Sequence, residues 1–255
     1  PLRLFRNRNF LVCTLVGLSV GLAMFGSISY LPTFLQMVND ASATMSGLMM
    51  LPMTAGLLIT SIGTGQLISR TGKYKIYPVL GAAVMIAGLL LLSRISNTTP
   101  YWFTAVGMFV LGLGIGALMQ NLVLIVQNSV PAKDMGTGVS SANYFRQMGG
   151  SLGIAVYGSF FIKRLNDQVA DAPPEASGVL RNGVNSISPS ELKVLPEPVR
   201  EFIAQAFGDA LPPIFLLGIP ALGAGLILTL FIKQTPLSET ARVRLGNEEQ
   251  ETPAT

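Results

Sequence analysis

The sequence predicts an all-α membrane protein of six transmembrane helices, and three observations carry that expectation. Half of the 255 residues are hydrophobic and only 12% are charged, about half the charge of an average soluble domain. The apolar residues gather into uncharged stretches of about 20 residues, the length a helix needs to cross a bilayer. The 17 Lys and Arg, against 13 Asp and Glu, stand in short patches beside those stretches, where topology rules and anionic headgroups select positive charge.

The first block, Phe10 to Val38, follows a basic segment with Arg3, Arg6 and Arg8. It exceeds a signal-peptide core of about 7 to 15 residues and further spans follow, so it is expected to stay as a helix. Ser46 to Ser69 forms the second block, with Pro52 and several Gly that membrane helices tolerate. Ile76 to Ser93 is the third and Trp102 to Gln127 the fourth. Gly138 to Ile162, the fifth, holds the one charge inside any block, Arg146. Leu211 to Ile232 is the sixth. The expected organisation is a basic lead-in at 1–9, five helices within 10–162, a long outer loop at 163–209, a sixth helix at 210–232 and a tail at 233–255.

Six spans place both termini on one side. Arg3/Arg6/Arg8, the Arg70/Lys73/Lys75 turn and Lys133 fall on that side, and Lys233, Arg242 and Arg244 of the tail agree. The positive-inside rule makes it the cytoplasmic face of a cell (plasma or inner) membrane, with 163–209 outside. Pro173-Pro174 argues for irregular structure in that loop. Pro198 to Ala210 could form an amphipathic helix on the outer surface, its apolar positions being Val199, Phe202, Ile203, Ala206 and Phe207. A chain that opens on Pro1 is expected to be a piece of a longer protein.

Absent residue types remove whole function classes. With no His and with Cys13 alone, Cys/His metal clusters, a Ser/His/Asp triad, a Cys/His dyad and an internal disulfide are excluded. No acid/base pair stands inside a span, so an enzyme is not expected, nor is a cofactor or a metal. Gly112, Gly114 and Gly116 lack the GxGxxG spacing and any strand-turn-helix context for a nucleotide loop. Basic patches beside apolar blocks suit lipid rather than nucleic acid.

Between the second and third blocks stands Gly65-Gln66-Leu67-Ile68-Ser69-Arg70-Thr71-Gly72-Lys73-Tyr74-Lys75. It resembles the cytoplasmic loop signature of the major facilitator superfamily through Gly65, Arg70, Gly72 and Lys73, which the resemblance makes a gating-loop motif. Ser69 stands where the family has Asp and Tyr74 where it has a basic residue, so a gating ion pair through that position stays open. Tyr30-Leu31-Pro32-Thr33-Phe34-Leu35-Gln36, followed by Ser46-Gly47-Leu48 and Leu51-Pro52, looks like the start of the second half of the fourteen-span drug/proton antiporters of that superfamily. Ser141 to Gly153, with Asn143, Arg146 and Gln147, is similar to their penultimate span. The resemblance implies the C-terminal six-helix bundle of a major facilitator fold, packed against an N-terminal half that this chain does not contain, the two rocking about a central site.

Arg146 falls near mid-membrane, where a charge costs roughly 2.5 to 3.5 kcal/mol on insertion scales, so it should face a cavity or a partner. Steps of three and four put Val139, Asn143, Arg146, Gly150, Gly153 and Tyr157 on one stripe, the candidate cavity wall. Two readings of Arg146 stand: it orients a substrate or a hydrogen-bond network with Asn143, or it holds helices together by capping carbonyls. In the fourth block Gly112, Gly116, Gln120, Val123 and Gln127 form a second stripe, with a close-packing glycine pair and hydrogen-bonding amides. Tyr30, Gln36, Gln120, Asn143, Arg146 and Gln147 are the candidate substrate-cavity residues, and Pro32 and Pro52 the candidate hinges. No span contains Asp or Glu, so proton-carrying carboxylates would lie in the absent half.

The expected function is half of a proton-coupled secondary transporter that exports amphiphilic drugs or related small molecules by alternating access, as in multidrug efflux and antibiotic resistance. Its partners would be the N-terminal half, the substrate, protons and the lipid bilayer. An exporter of a native lipid or metabolite, or a self-contained six-helix scaffold or channel, are the alternatives.

Overall fold

A computed structural model describes residues 2–72, 74–169 and 195–232, and among these it is helical throughout, without strands. The helices are α1 (Arg8–Met37), α2 (Ala43–Met49), α3 (Leu51–Thr71), α4 (Ile76–Leu92), α5 (Tyr101–Ser129), α6 (Met135–Val169), α7 (Glu197–Ala210) and α8 (Gly218–Leu230), with 3-10 turns at Leu2–Arg6, Ala132–Asp134 and Pro212–Leu217. The Pro173-Pro174 segment, Lys73 and the tail cations Lys233, Arg242 and Arg244 lie outside the described residues.

Local chemistry sets most boundaries. Asn7 caps α1 by accepting from the N–H of Asn9 and Phe10, and Ser42 caps α2 by accepting from Met45. Gly72 ends α3 in the left-handed region at φ 67°, its N–H bonded to the Ile68 carbonyl at 2.8 Å, a conformation glycine adopts without strain. The second block divides at Met50, because Pro52 has no N–H and fits only the first turn of α3. Met53 then donates to Met50 rather than to Met49, and the Met49 carbonyl accepts from the Tyr101 hydroxyl at 2.8 Å instead.

The sixth block differs more from its expected span. Pro212 and Pro213 bring no donors, Ile214 bonds three residues back to Leu211, and the segment stays in a 3-10 turn until Gly218 starts α8. Pro198–Ala210 does form an amphipathic helix, α7. Its apolar face, Val199, Ile203, Ala206, Phe207 and Ala210, is buried against α6, α1 and the 3-10 turn that follows it, with the rings of Phe207 and Phe161 5.5 Å apart. Protein rather than lipid covers that face.

Arg8–Met37, Ala43–Thr71, Tyr101–Ser129 and Glu197–Leu230 are long and apolar enough to cross a membrane. Apolar α4 has 17 residues, about 26 Å at 1.5 Å per residue. α6 has the length, 35 residues, but Ser, Asn, Gln and Arg146 dilute its apolar content.

Two parallel helix pairs form the frame. In α1/α6 a Cβ on Gly21 would strike the Arg146 carbonyl oxygen, one on Gly149 the Leu18 oxygen and one on Gly153 the Leu22 oxygen. In α3/α5 a Cβ on Gly56 would strike the Phe109 oxygen, one on Gly112 the Met53 oxygen and one on Gly116 the Leu57 oxygen. The registers match: contact positions run n, n+3, n+4 on one helix and m, m+3, m+7 on the other in both pairs. Backbone meets backbone where side chains are absent, which is how small residues bring membrane helices close. Thr60 adds a hydroxyl bond to the Leu113 carbonyl at 2.8 Å across the second pair. α4 packs on α5, and α8 packs on α1 and α4.

Candidate functional site

The two pairs meet less closely along α1, α5 and α6, and a cleft open on one side lies there. Cys13 and Gly17 of α1, Leu122, Val123 and Val126 of α5, and Val139, Ala142, Asn143 and Arg146 of α6 form its walls. It is narrow, wide enough for a water molecule. The Arg146 Nη1 donates to the Met119 sulfur at 3.0 Å, while its Nε is buried with no partner.

The expected cavity stripe of α6 divides along its length. Val139, Asn143 and Arg146 line the cleft. Gly153 instead abuts the α1 backbone, a Cβ on Gly150 would meet the Phe25 ring at 2.5 Å, and Tyr157 is fully buried. The stripe of α5 divides too: Gly112 and Gly116 are spent on contact with α3, and Val123 reaches the cleft.

The candidate substrate residues therefore occupy two places. Asn143 and Arg146 share the cleft; Gln147, next to Arg146, is exposed, and exposed Gln120 stands one turn from Val123 on α5. Tyr30 and Gln36 lie toward the C-terminal end of α1. The Tyr30 hydroxyl donates to the Ile154 carbonyl at 3.4 Å, and its ring stacks on Tyr157 at 6.4 Å and meets Phe161 at 5.7 Å. Gln36 donates to the Ser46 hydroxyl at 3.1 Å, joining α1 to α2. From Arg146 to Ile154 is about 12 Å along α6, so this second cluster is a separate station.

Pro32 sits inside a continuous α1, where it leaves the Ile28 carbonyl without its usual donor. Pro52 sits at a helix boundary. In the loop motif, Gly65 has open space around it, Gly72 makes the left-handed cap and Arg70 is exposed. Lys73 lies outside the described residues.

Sequence reasoning passed over three features. Met119 touches the guanidinium although nothing in its type signals it. A polar stripe of Ser140, Tyr144, Gln147 and Ser151 is exposed along α6, readable in its 4, 3, 4 spacing once one face is known to be open. At the N-terminal end of α1, the Nη2 of Arg3 donates to both carboxylate oxygens of buried Asp134, at 2.8 and 2.9 Å, and the Asn7 amide donates to the Ser129 carbonyl at 2.6 Å. Those contacts tie the lead-in to the α5–α6 turn. The described residues hold no group of three or more His, Cys, Asp or Glu suited to a metal.

The family model of the Major Facilitator Superfamily matches residues 1–154. The chain is 40% identical over 243 residues to an uncharacterized MFS-type transporter of Mycobacterium tuberculosis, covering 94% of this chain and 34% of that protein. It is 31% identical over 262 residues to the multidrug transporter protein MdtP of Bacillus subtilis, covering 93% and 48%. The chain thus spans about a third to a half of the length of these relatives. Among solved structures, the E. coli fucose:proton symporter FucP superposes with a TM-score of 0.61 at 19% identity, over 93% of this chain and 55% of that one.

Proposed function

The chain belongs to the major facilitator superfamily, a family of membrane transporters rather than enzymes, and from that premise we propose that it is the C-terminal half of a proton-coupled exporter of amphiphilic drugs or related small molecules. The observation that carries this reading is the exposed stripe Ser140, Tyr144, Gln147 and Ser151 on α6. The Ser151 hydroxyl is met by the Gln147 carbonyl of its own helix, but the Gln147 amide and the Tyr144 hydroxyl at membrane depth are poorly matched to lipid and suit a water-filled path or a second polar surface. Arg146 on the same helix, without an ion pair among the described residues, points the same way. The name of the Bacillus relative, a multidrug transporter, supports the substrate class.

In this reading a preceding half closes over α3 and α6, both termini are cytoplasmic in the cell membrane, and residues 163–209 lie outside. α1, α3, α4, α5 and α8 carry no Asp or Glu, and the first carboxylate of α6 is Asp167 near its outer end. The proton-binding groups then belong to the preceding half, and this chain supplies one wall and one side of the gate. Full-length protein in inside-out vesicles should move ethidium on acidification of the lumen and stop when a protonophore is added. Ethidium movement that ignores the proton gradient would remove the coupling, and none at all would remove the drug-export reading.

A further inference from the structure

Among the described residues, no carboxylate answers the charge of Arg146. Its contact to the Met119 sulfur engages a weak acceptor, its Nε is buried without a partner, and it has no ion pair among the described residues. The nearest carboxylates on its own helix line are out of reach. Asp134, twelve residues earlier and about 18 Å along the axis, is held by Arg3. Asp167 is 21 residues later, about 32 Å.

The surroundings fit one chemical class. Most of the cleft wall is apolar or small, which strengthens a charge-assisted hydrogen bond formed inside it. A guanidinium presents its donors in a planar fork that matches a carboxylate, and Asn143, three residues away on the same wall, adds an amide donor. We propose that the cleft between α1, α5 and α6 is a carboxylate-binding site in which Arg146 is the counter-ion. The carboxylate comes from a transported amphiphile or from the preceding half of the protein. The cleft holds only a water-sized group, so the carboxylate meets Arg146 at its open side and the apolar body of a ligand stays outside it. This deepens the exporter reading and rests on its placement of Arg146 in a cavity wall.

The test uses the full-length transporter, purified, with 2-naphthoate and its neutral amide, 2-naphthamide, as probes in equilibrium dialysis. If the carboxylate is the ligand's, naphthoate binds the wild type at least tenfold tighter than the amide, Arg146→Gln removes that preference, and Arg146→Lys keeps part of it. If it belongs to the preceding half, the two probes bind alike and Arg146→Gln lowers the melting temperature. Neutralising one intramembrane Asp or Glu of that half then restores the melting temperature of the double variant to the wild-type value. Three results overturn the proposal: a naphthoate preference that survives Arg146→Gln, no preference with an unchanged melting temperature, and a lowered melting temperature that no carboxylate neutralisation rescues. Ethidium transport by the same wild-type preparation keeps the two ideas apart. Its absence with naphthoate preference intact removes the exporter and leaves the site, and ethidium transport together with any of the three overturning results removes the site alone.

Discussion

At the scale of single residues, Arg146 and Asp134 show opposite ways of keeping a charge in a bundle. Asp134 is buried and fully engaged by Arg3, whose own side chain is 59% exposed. The two partners are therefore not equivalent. Arg3→Ala leaves a buried carboxylate without its donor, a loss of about 2 kcal/mol, while Asp134→Asn frees an arginine that water can solvate and costs about 1 kcal/mol. Thermal melting of the two variants in detergent should rank them in that order, and losses below about 1 kcal/mol in both would show that the pair is worth no more than a surface contact. The sequence made Arg146 stand out because it is a lone charge in an apolar block. It could not show Asp134 as a partner of Arg3, since 131 residues separate them and a loop aspartate is ordinary by type.

The element scale is governed by where glycine is obligatory and where it is incidental. Gly149 and Gly112 occupy the same place in their helix pairs, each facing a partner carbonyl. Ala at either position pushes a methyl group into backbone, which cannot yield as a side-chain tip can. The expected cost is about 1 to 3 kcal/mol, seen as reduced membrane level and a lower melting temperature for Gly149→Ala and for Gly112→Ala. Gly63, inside α3 with open space around it, makes the control: Ala there should be neutral or stabilising by up to about 1 kcal/mol through helix propensity. Equal behaviour of Gly63→Ala and Gly149→Ala would remove the interlock as the source of packing. The glycine pair of α5 was legible from its spacing alone, and so were the helical stretches of the first five apolar blocks apart from the break at Met50. The 3-10 turn before α8 was hidden because hydropathy averages over Pro212 and Pro213 without registering two missing donors.

For the whole molecule, the question is what covers α3 and α6. Only 17% of the most apolar stretch of Ala43–Thr71 is buried, against 61% for Arg8–Met37 and 67% for Tyr101–Ser129. Leu58, Ile59 and Ile62 on α3 are exposed, as are Leu152 and Val156 on α6. Lipid alone could cover those side chains, but it is a poor solvent for the polar stripe that runs beside them on α6. A second bundle with matching hydrogen-bonding groups satisfies both. The polypeptide in native membranes should therefore have at least about twice the 27.1 kDa of this chain, in proportion to relatives of which it covers 34% and 48%. Denaturing electrophoresis with an antibody against this segment measures that mass directly. A native band at 27.1 kDa would leave the stripe to be covered by a second copy or a separate subunit, and the two-half exporter would have to be assembled from two chains.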